Sequence, residues 1–83
     1  MAYSVIAMKG FGEEADRLDK RMRERLDKAL IWLKENAHHC GRMHGYQNRY
    51  KKRIGKFRLI FEIEGQTVYL ICIDKRDVVY RNN

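Results

Sequence analysis

The sequence predicts an α+β domain: an N-terminal strand, a helical hairpin, then an antiparallel β-meander of three to four strands, with the helices on one sheet face. Three observations carry this. Phe57, Leu59, Phe61 and Ile63 alternate with Lys56, Arg58, Ile60 and Glu62 within the stretch Tyr50–Tyr80, an apolar stripe of helical period runs between Asp19 and Ala37, and the strands follow the helices in order. A half-buried strand shows the first pattern and an amphipathic helix the second. Strands that follow helices, rather than alternate with them, favour helices gathered on one face of an antiparallel sheet.

Ala2–Met8 (AYSVIAM) is β-branched and aromatic enough for a short strand, ended by Lys9-Gly10. Phe11, Ala15 and Leu18 follow helical spacing, which predicts a short helix over Phe11–Leu18. Asp19 reads as the N-cap of a second helix reaching about Ala37. Met22, Leu26, Ala29, Leu30 and Leu33 form its stripe, which Ile31 and Trp32 are expected to widen. Such a helix is marginal alone and must pack on the sheet. The glycine-containing stretch His38–Gly45 marks the crossing to the strands. Strands are expected over Tyr46–Ile54, Lys56–Ile63 and Thr67–Asp74, with turns at Gly55 and Glu64-Gly65-Gln66. Thr67–Asp74 is the most apolar and should be interior, and Val78–Arg81 is a candidate further strand.

Eighty-three residues make one domain, 1–83, with 45% hydrophobic and 35% charged residues, a globular mix. Eighteen Lys and Arg against 11 Asp and Glu give a formal charge of +7, which suits a polyanionic or acidic partner. No apolar run approaches the ~18 residues of a membrane span, and no signal-peptide pattern opens the chain, so a cytoplasmic protein without membrane attachment is expected. Cys40 and Cys72 have no framework spacing and are expected to remain thiols, Cys72 as a small buried hydrophobe.

His38, His39, Cys40 and His44 lie close together but lack the paired spacing of a zinc site, and loop histidines are the better reading. No phosphate-binding loop, strained nucleophile turn or carboxylate pair for Mg²⁺ is present, so neither metal nor other cofactor is expected. What remains is cationic. Phe57, Leu59, Phe61 and Ile63 point to one face of their strand and Arg58 to the other; Lys51 and Arg53 share one face of the strand before, opposite Tyr50, Lys52 and Ile54. One account is a solvated face whose charges block edge pairing. The other is a metal-free ribonuclease: RNA supplies its own 2′-hydroxyl nucleophile, and the protein needs proton-transfer groups and cations for the phosphorane. Arginine binds two phosphate oxygens with its planar fork.

The residues Tyr50–Ile54, Phe57-Arg58-Leu59-Ile60-Phe61, Val68–Ile73, Lys75-Arg76 and Val79-Tyr80 form, in this order, a pattern that resembles the RelE/ParE superfamily of toxin–antitoxin toxins. AYSVIAM and the helix after Asp19 extend the resemblance over nearly the whole chain. It implies a toxin that cleaves mRNA in the ribosomal A site and is silenced by a cognate small acidic, RelB-like antitoxin. It further implies roles: Lys51 or Arg53 helps deprotonate the 2′-hydroxyl, Arg58 stabilises the transition-state phosphate, Arg76 lies near the leaving oxygen, and Tyr80 stacks on or orients the base. Arg49, Lys52, Lys56, Lys75 and Arg81 are the flanking cations expected to bind RNA. No histidine stands between Arg76 and Tyr80, and arginine is a poor proton donor, so cleavage of free RNA should be slow without the ribosome. With the chain ending at Asn83, the antitoxin is expected to act by masking charge. Two alternatives share the features: a ParE-like gyrase poison, and a non-catalytic basic module that binds RNA or the ribosome.

Overall fold

The structure, a computed structural model, describes residues 2–75. Its elements are β1 (Ser4–Ala7), α1 (Phe11–Asp16), α2 (Lys20–Asn36), a 3-10 turn at Ala37–His39, β2 (Gly41–Arg42), β3 (Arg49–Ile54), β4 (Phe57–Glu64) and β5 (Thr67–Asp74). The strands form one sheet in the order β1-β5-β4-β3-β2; β1 runs parallel to β5 and the other pairs are antiparallel. The expected α+β architecture is present, with β5 interior. The candidate strand Val78–Arg81 lies outside the described residues.

Asp19 caps α2 as its sequence position predicts, accepting the Met22 N–H at 2.8 Å. Leu26, Ala29, Leu33 and the following Ala37 then fall on one side of the helix and are buried. They pack with Phe11 and Ala15 of α1 on Leu59, Phe61, Val68, Leu70 and Ile73 of the sheet. Ile31 and Trp32 do not widen this stripe: Ile31 is 66% exposed and Trp32 37%. At about 100° per residue, Ile31 points away from Leu26 and Leu33, and Trp32 lies to the side, where Lys52 Nζ sits 4.1 Å from its ring centroid. Tyr3 fastens the start of β1 to the end of α2, its N–H donating to Lys34 O at 2.7 Å and its Oη sharing a 2.8 Å hydrogen bond with His38 Nδ1.

The β3–β4 turn needs Gly55 for its φ of +59°; a Cβ there would also touch Arg25 Nη1 at 3.0 Å and Met22 Cε at 3.2 Å, ends of flexible side chains of α2 that can move aside. Several boundaries differ from expectation: β1 is shortened to Ser4–Ala7, α1 stops at Asp16, β4 is shifted by one residue to Phe57–Glu64, and β3 starts at Arg49, after the Met43–Tyr46 turn. The two-residue β2 was not legible, being too short to show a period.

A bulge shapes β5. Ile60 pairs with Cys72 but the next residue, Phe61, pairs with Leu70, so Ile71 is the extra residue. Val68 and Leu70 face the helices; after the bulge Ile73 takes their side, and Cys72 and Asp74 turn to the opposite, open face. Cys72 is therefore half-buried on that face rather than part of the core. β1 covers β5 only to Leu70, whose carbonyl accepts the Met8 N–H at 2.9 Å; beyond it, Glu14 Oε1 of α1 accepts the Ile73 N–H at 2.9 Å.

Candidate nucleic-acid interface on the open sheet face

Pairing across the strands arranges the open face as rows. Arg53, Arg58 and Asp74 form the first, Gly41, Lys51, Ile60 and Cys72 the second, and Arg49, Glu62 and Tyr69 the third. Residues two apart along β3 place successive side chains roughly 7 Å apart. The period-two argument thus holds for β3 and β4: Lys51, Arg53 and Arg58 share a face and line one cleft of about 310 Å³. Gly41 completes its wall, so no side chain covers Lys51 from the β2 side.

Arg53 and Arg58 stand directly opposite each other, an arrangement that costs energy between like charges. Asp74 relieves it, accepting from Arg58 Nη2 at 2.8 Å, with side chains only 17% and 9% exposed. In the third row Arg49 donates to Glu62 Oε2 through Nε at 3.1 Å and Nη2 at 2.7 Å. That hydrogen bond pushes the Arg49 pKa up, so the group keeps its charge at every accessible pH. The same guanidinium lies 4.5 Å from the centroid of the Tyr46 ring.

Beside the cation cleft is a second of about 490 Å³, lined by Ile60, Cys72, Met43 and Tyr46 and by the charged Glu14, Arg17, Arg49 and Asp74. Ile60 is buried yet stands apart from the helix-side core, on the open face.

The flanking cations do not all join this face. Lys52 lies on the helix side, over Trp32, as the register of β3 dictates. Lys56 borders a different groove, with Asp19, Arg21 and Phe57. Lys75 lines the larger cleft with its Nζ 5.6 Å from the Phe57 ring centroid. Arg76, Tyr80 and Arg81 lie outside the described residues. Tyr46 and Asp74 line this candidate site and were not among the residues expected from the sequence. Among the described residues, no three His, Cys, Asp or Glu side chains gather in a metal-binding arrangement, and no helix is long and apolar enough to cross a membrane.

Comparison with solved structures shows the same fold in several toxins. A mutant of the E. coli toxin RelE in its free state is 24% identical, with a TM-score of 0.81 over 98% of this chain and 93% of that one. RelE of the archaeal RelE–RelB complex from Pyrococcus horikoshii OT3 is 18% identical, with a TM-score of 0.79 over 92% and 97%. A chain of the chromosomal ParDE system from P. aeruginosa is 14% identical, with a TM-score of 0.71 over 88% and 95%. No curated protein matches the sequence. The family described as ParE toxin of type II toxin–antitoxin system, parDE, matches residues 3–80. The chain therefore belongs to the ParE toxin family of type II toxin–antitoxin systems, within the RelE/ParE superfamily.

Proposed function

We propose that this toxin is a ribosome-dependent endoribonuclease, held inactive by a small acidic antitoxin. The observation that carries this is the convergence of Lys51, Arg53 and Arg58 in one open cleft. In the reaction, O2′ attacks the adjacent phosphorus as its proton leaves, the O2′–P bond forms, and the P–O5′ bond breaks. The departing O5′ takes up a proton from water, so the products are a 2′,3′-cyclic phosphate and a 5′-hydroxyl. Arg58 and Arg53 neutralise the phosphorane oxygens, and Lys51 or Arg53 helps remove the 2′-proton. Arg76 near the leaving oxygen and Tyr80 on the base complete the set. Loss of one such phosphate contact costs on the order of 10²–10³ in rate.

The experiment is primer extension on translated mRNA after induction of the toxin alone. Wild type should give cuts within codons, and Arg58→Ala should remove them and restore growth. Undiminished cuts and toxicity in Arg58→Ala would overturn the assignment. A second reading, a gyrase poison, is favoured by the match to the ParE family. It predicts trapped gyrase–DNA cleavage complexes and intact mRNA from the same induced cells.

The antitoxin proposal rests on charge and on the related complexes. RelE is seen with RelB in the Pyrococcus horikoshii structure, and a net +7 toxin complements an acidic partner.

A further inference from the structure

The larger cleft mixes charge with apolar surface. Arg17, Arg49 and Lys75 line it together with Ile60, Cys72 and Tyr46, the last with 47% of the residue exposed. An exposed tyrosine on a loop could simply be solvated, but this one is held from two directions. Tyr46 N–H donates to Met43 O at 3.3 Å, closing a turn whose third residue, Gly45, has φ +90°. Glycine there is what a type II turn requires. From the sheet, Arg49 lies 4.5 Å from the ring centroid and is itself anchored to Glu62. Two anchors lower the entropy the ring would lose on accepting a flat ligand.

The cleft also adjoins the cations. Asp74 lines it and binds Arg58, which lines the smaller cleft; Ile60, also in its lining, pairs with Lys51. A ligand occupying both would present anionic groups to Lys51, Arg53 and Arg58 and a flat apolar group to Tyr46. Single-stranded RNA has that alternation, and aromatic rings beside a basic groove are how proteins bind it without fixed sequence. Glu14, whose Oε1 accepts the Ile73 N–H, also lines the cleft, and its second carboxylate oxygen is an acceptor type suited to the exocyclic amino group of a base such as adenine.

We propose that Tyr46, backed by Arg49, is the stacking platform of a nucleobase subsite, which takes an unpaired base flanking the phosphate held by Lys51, Arg53 and Arg58. This rests on the RNA-binding reading above and adds a binding residue to it.

The test is equilibrium binding of a fluorescent heptaadenylate, and of the same oligonucleotide with abasic positions throughout, over a series of salt concentrations. Variants are Tyr46→Ala, Tyr46→Phe and Arg58→Ala, each checked for folding by circular dichroism. Tyr46→Ala should weaken heptaadenylate binding about tenfold without changing the salt slope, because the ring neutralises no phosphate. Tyr46→Phe should bind like wild type, and the abasic strand should bind wild type and Tyr46→Ala equally. Arg58→Ala should lower the salt slope by about one unit. Equal binding of heptaadenylate by wild type and Tyr46→Ala, with the Arg58 effect intact, would overturn the subsite and leave the RNA reading standing. No binding by wild type at low salt would overturn both.

Discussion

Arg58 and Asp74 face each other across β4 and β5, Nη2 to Oδ2 at 2.8 Å, in a pair that is mostly shielded from water. The bulge at Ile71 makes this contact, since unbroken alternation would send Asp74 to the side of Val68 and Leu70. Asp74 both steadies Arg58 against Arg53 and competes with any phosphate for the same fork. Asp74→Asn keeps the shape and removes the charge. It should lower stability by about 1–3 kcal/mol, in the range for losing a charged hydrogen bond, and strengthen binding of an RNA backbone. Urea denaturation and salt-dependent RNA binding measure the two effects. Unchanged stability together with weaker RNA binding would contradict this account of the pair.

Lysines on opposite faces of β3 should behave differently. Lys51→Ala should reduce the salt slope of RNA binding by about one unit, as expected for a phosphate contact. Lys52→Ala should leave the slope alone and cost roughly 0.5–1 kcal/mol of stability, the usual size of an exposed cation–π contact such as that with Trp32. An equal loss of slope in both variants would mean that RNA does not read the open face.

Much of this fold is legible because alternation and helical spacing report burial directly. Leu59 and Phe61 against Arg58, and Leu26 with Leu33, are buried or turned outward as their periods require. Lys51, Arg53 and Arg58 could be grouped for the same reason. The bulge was less visible, although Val68, Leu70, Cys72 and Asp74 carried its sign: an acidic residue at the end of a core-facing series. Ile31 and Trp32 misled because hydrophobicity alone does not fix an angle on a helix. Tyr46 escaped notice because its position depends on the Met43–Tyr46 turn and on Arg49 reaching back to it, neither of which leaves a period.

Gly45 supplies that turn with a φ of +90°. Space is not the obstacle to a side chain there, since nothing lies within 4 Å of an added Cβ. Gly45→Ala should still cost about 1–2 kcal/mol, the penalty for an L residue in the left-handed region. The loop can relieve that strain by shifting, which would displace Tyr46 from Arg49. Heptaadenylate binding should then fall towards the Tyr46→Ala level while β-sheet circular dichroism is retained. Wild-type affinity in Gly45→Ala would show that the turn does not set the ring's position.

Cys40 follows the 3-10 turn and packs against the edge of the core, and burial pushes its thiol pKa up, while the Lys52 ammonium pulls it down by less. The folded state thus favours the neutral thiol. Stability from this source is fully present below the unfolded thiol value, about 8.5, and is lost as pH rises through the higher folded value. Because the thiolate is the nucleophile, iodoacetamide should modify Cys40 more slowly in the folded protein than in urea, with a midpoint displaced to higher pH. Peptide mass spectrometry separates Cys40 from Cys72 without mutation. Lys52→Ala removes the opposing ammonium and should displace the Cys40 midpoint further upward. A downward displacement in that variant would show that Lys52 acts on this thiol by shielding it from water, and not by attracting the thiolate.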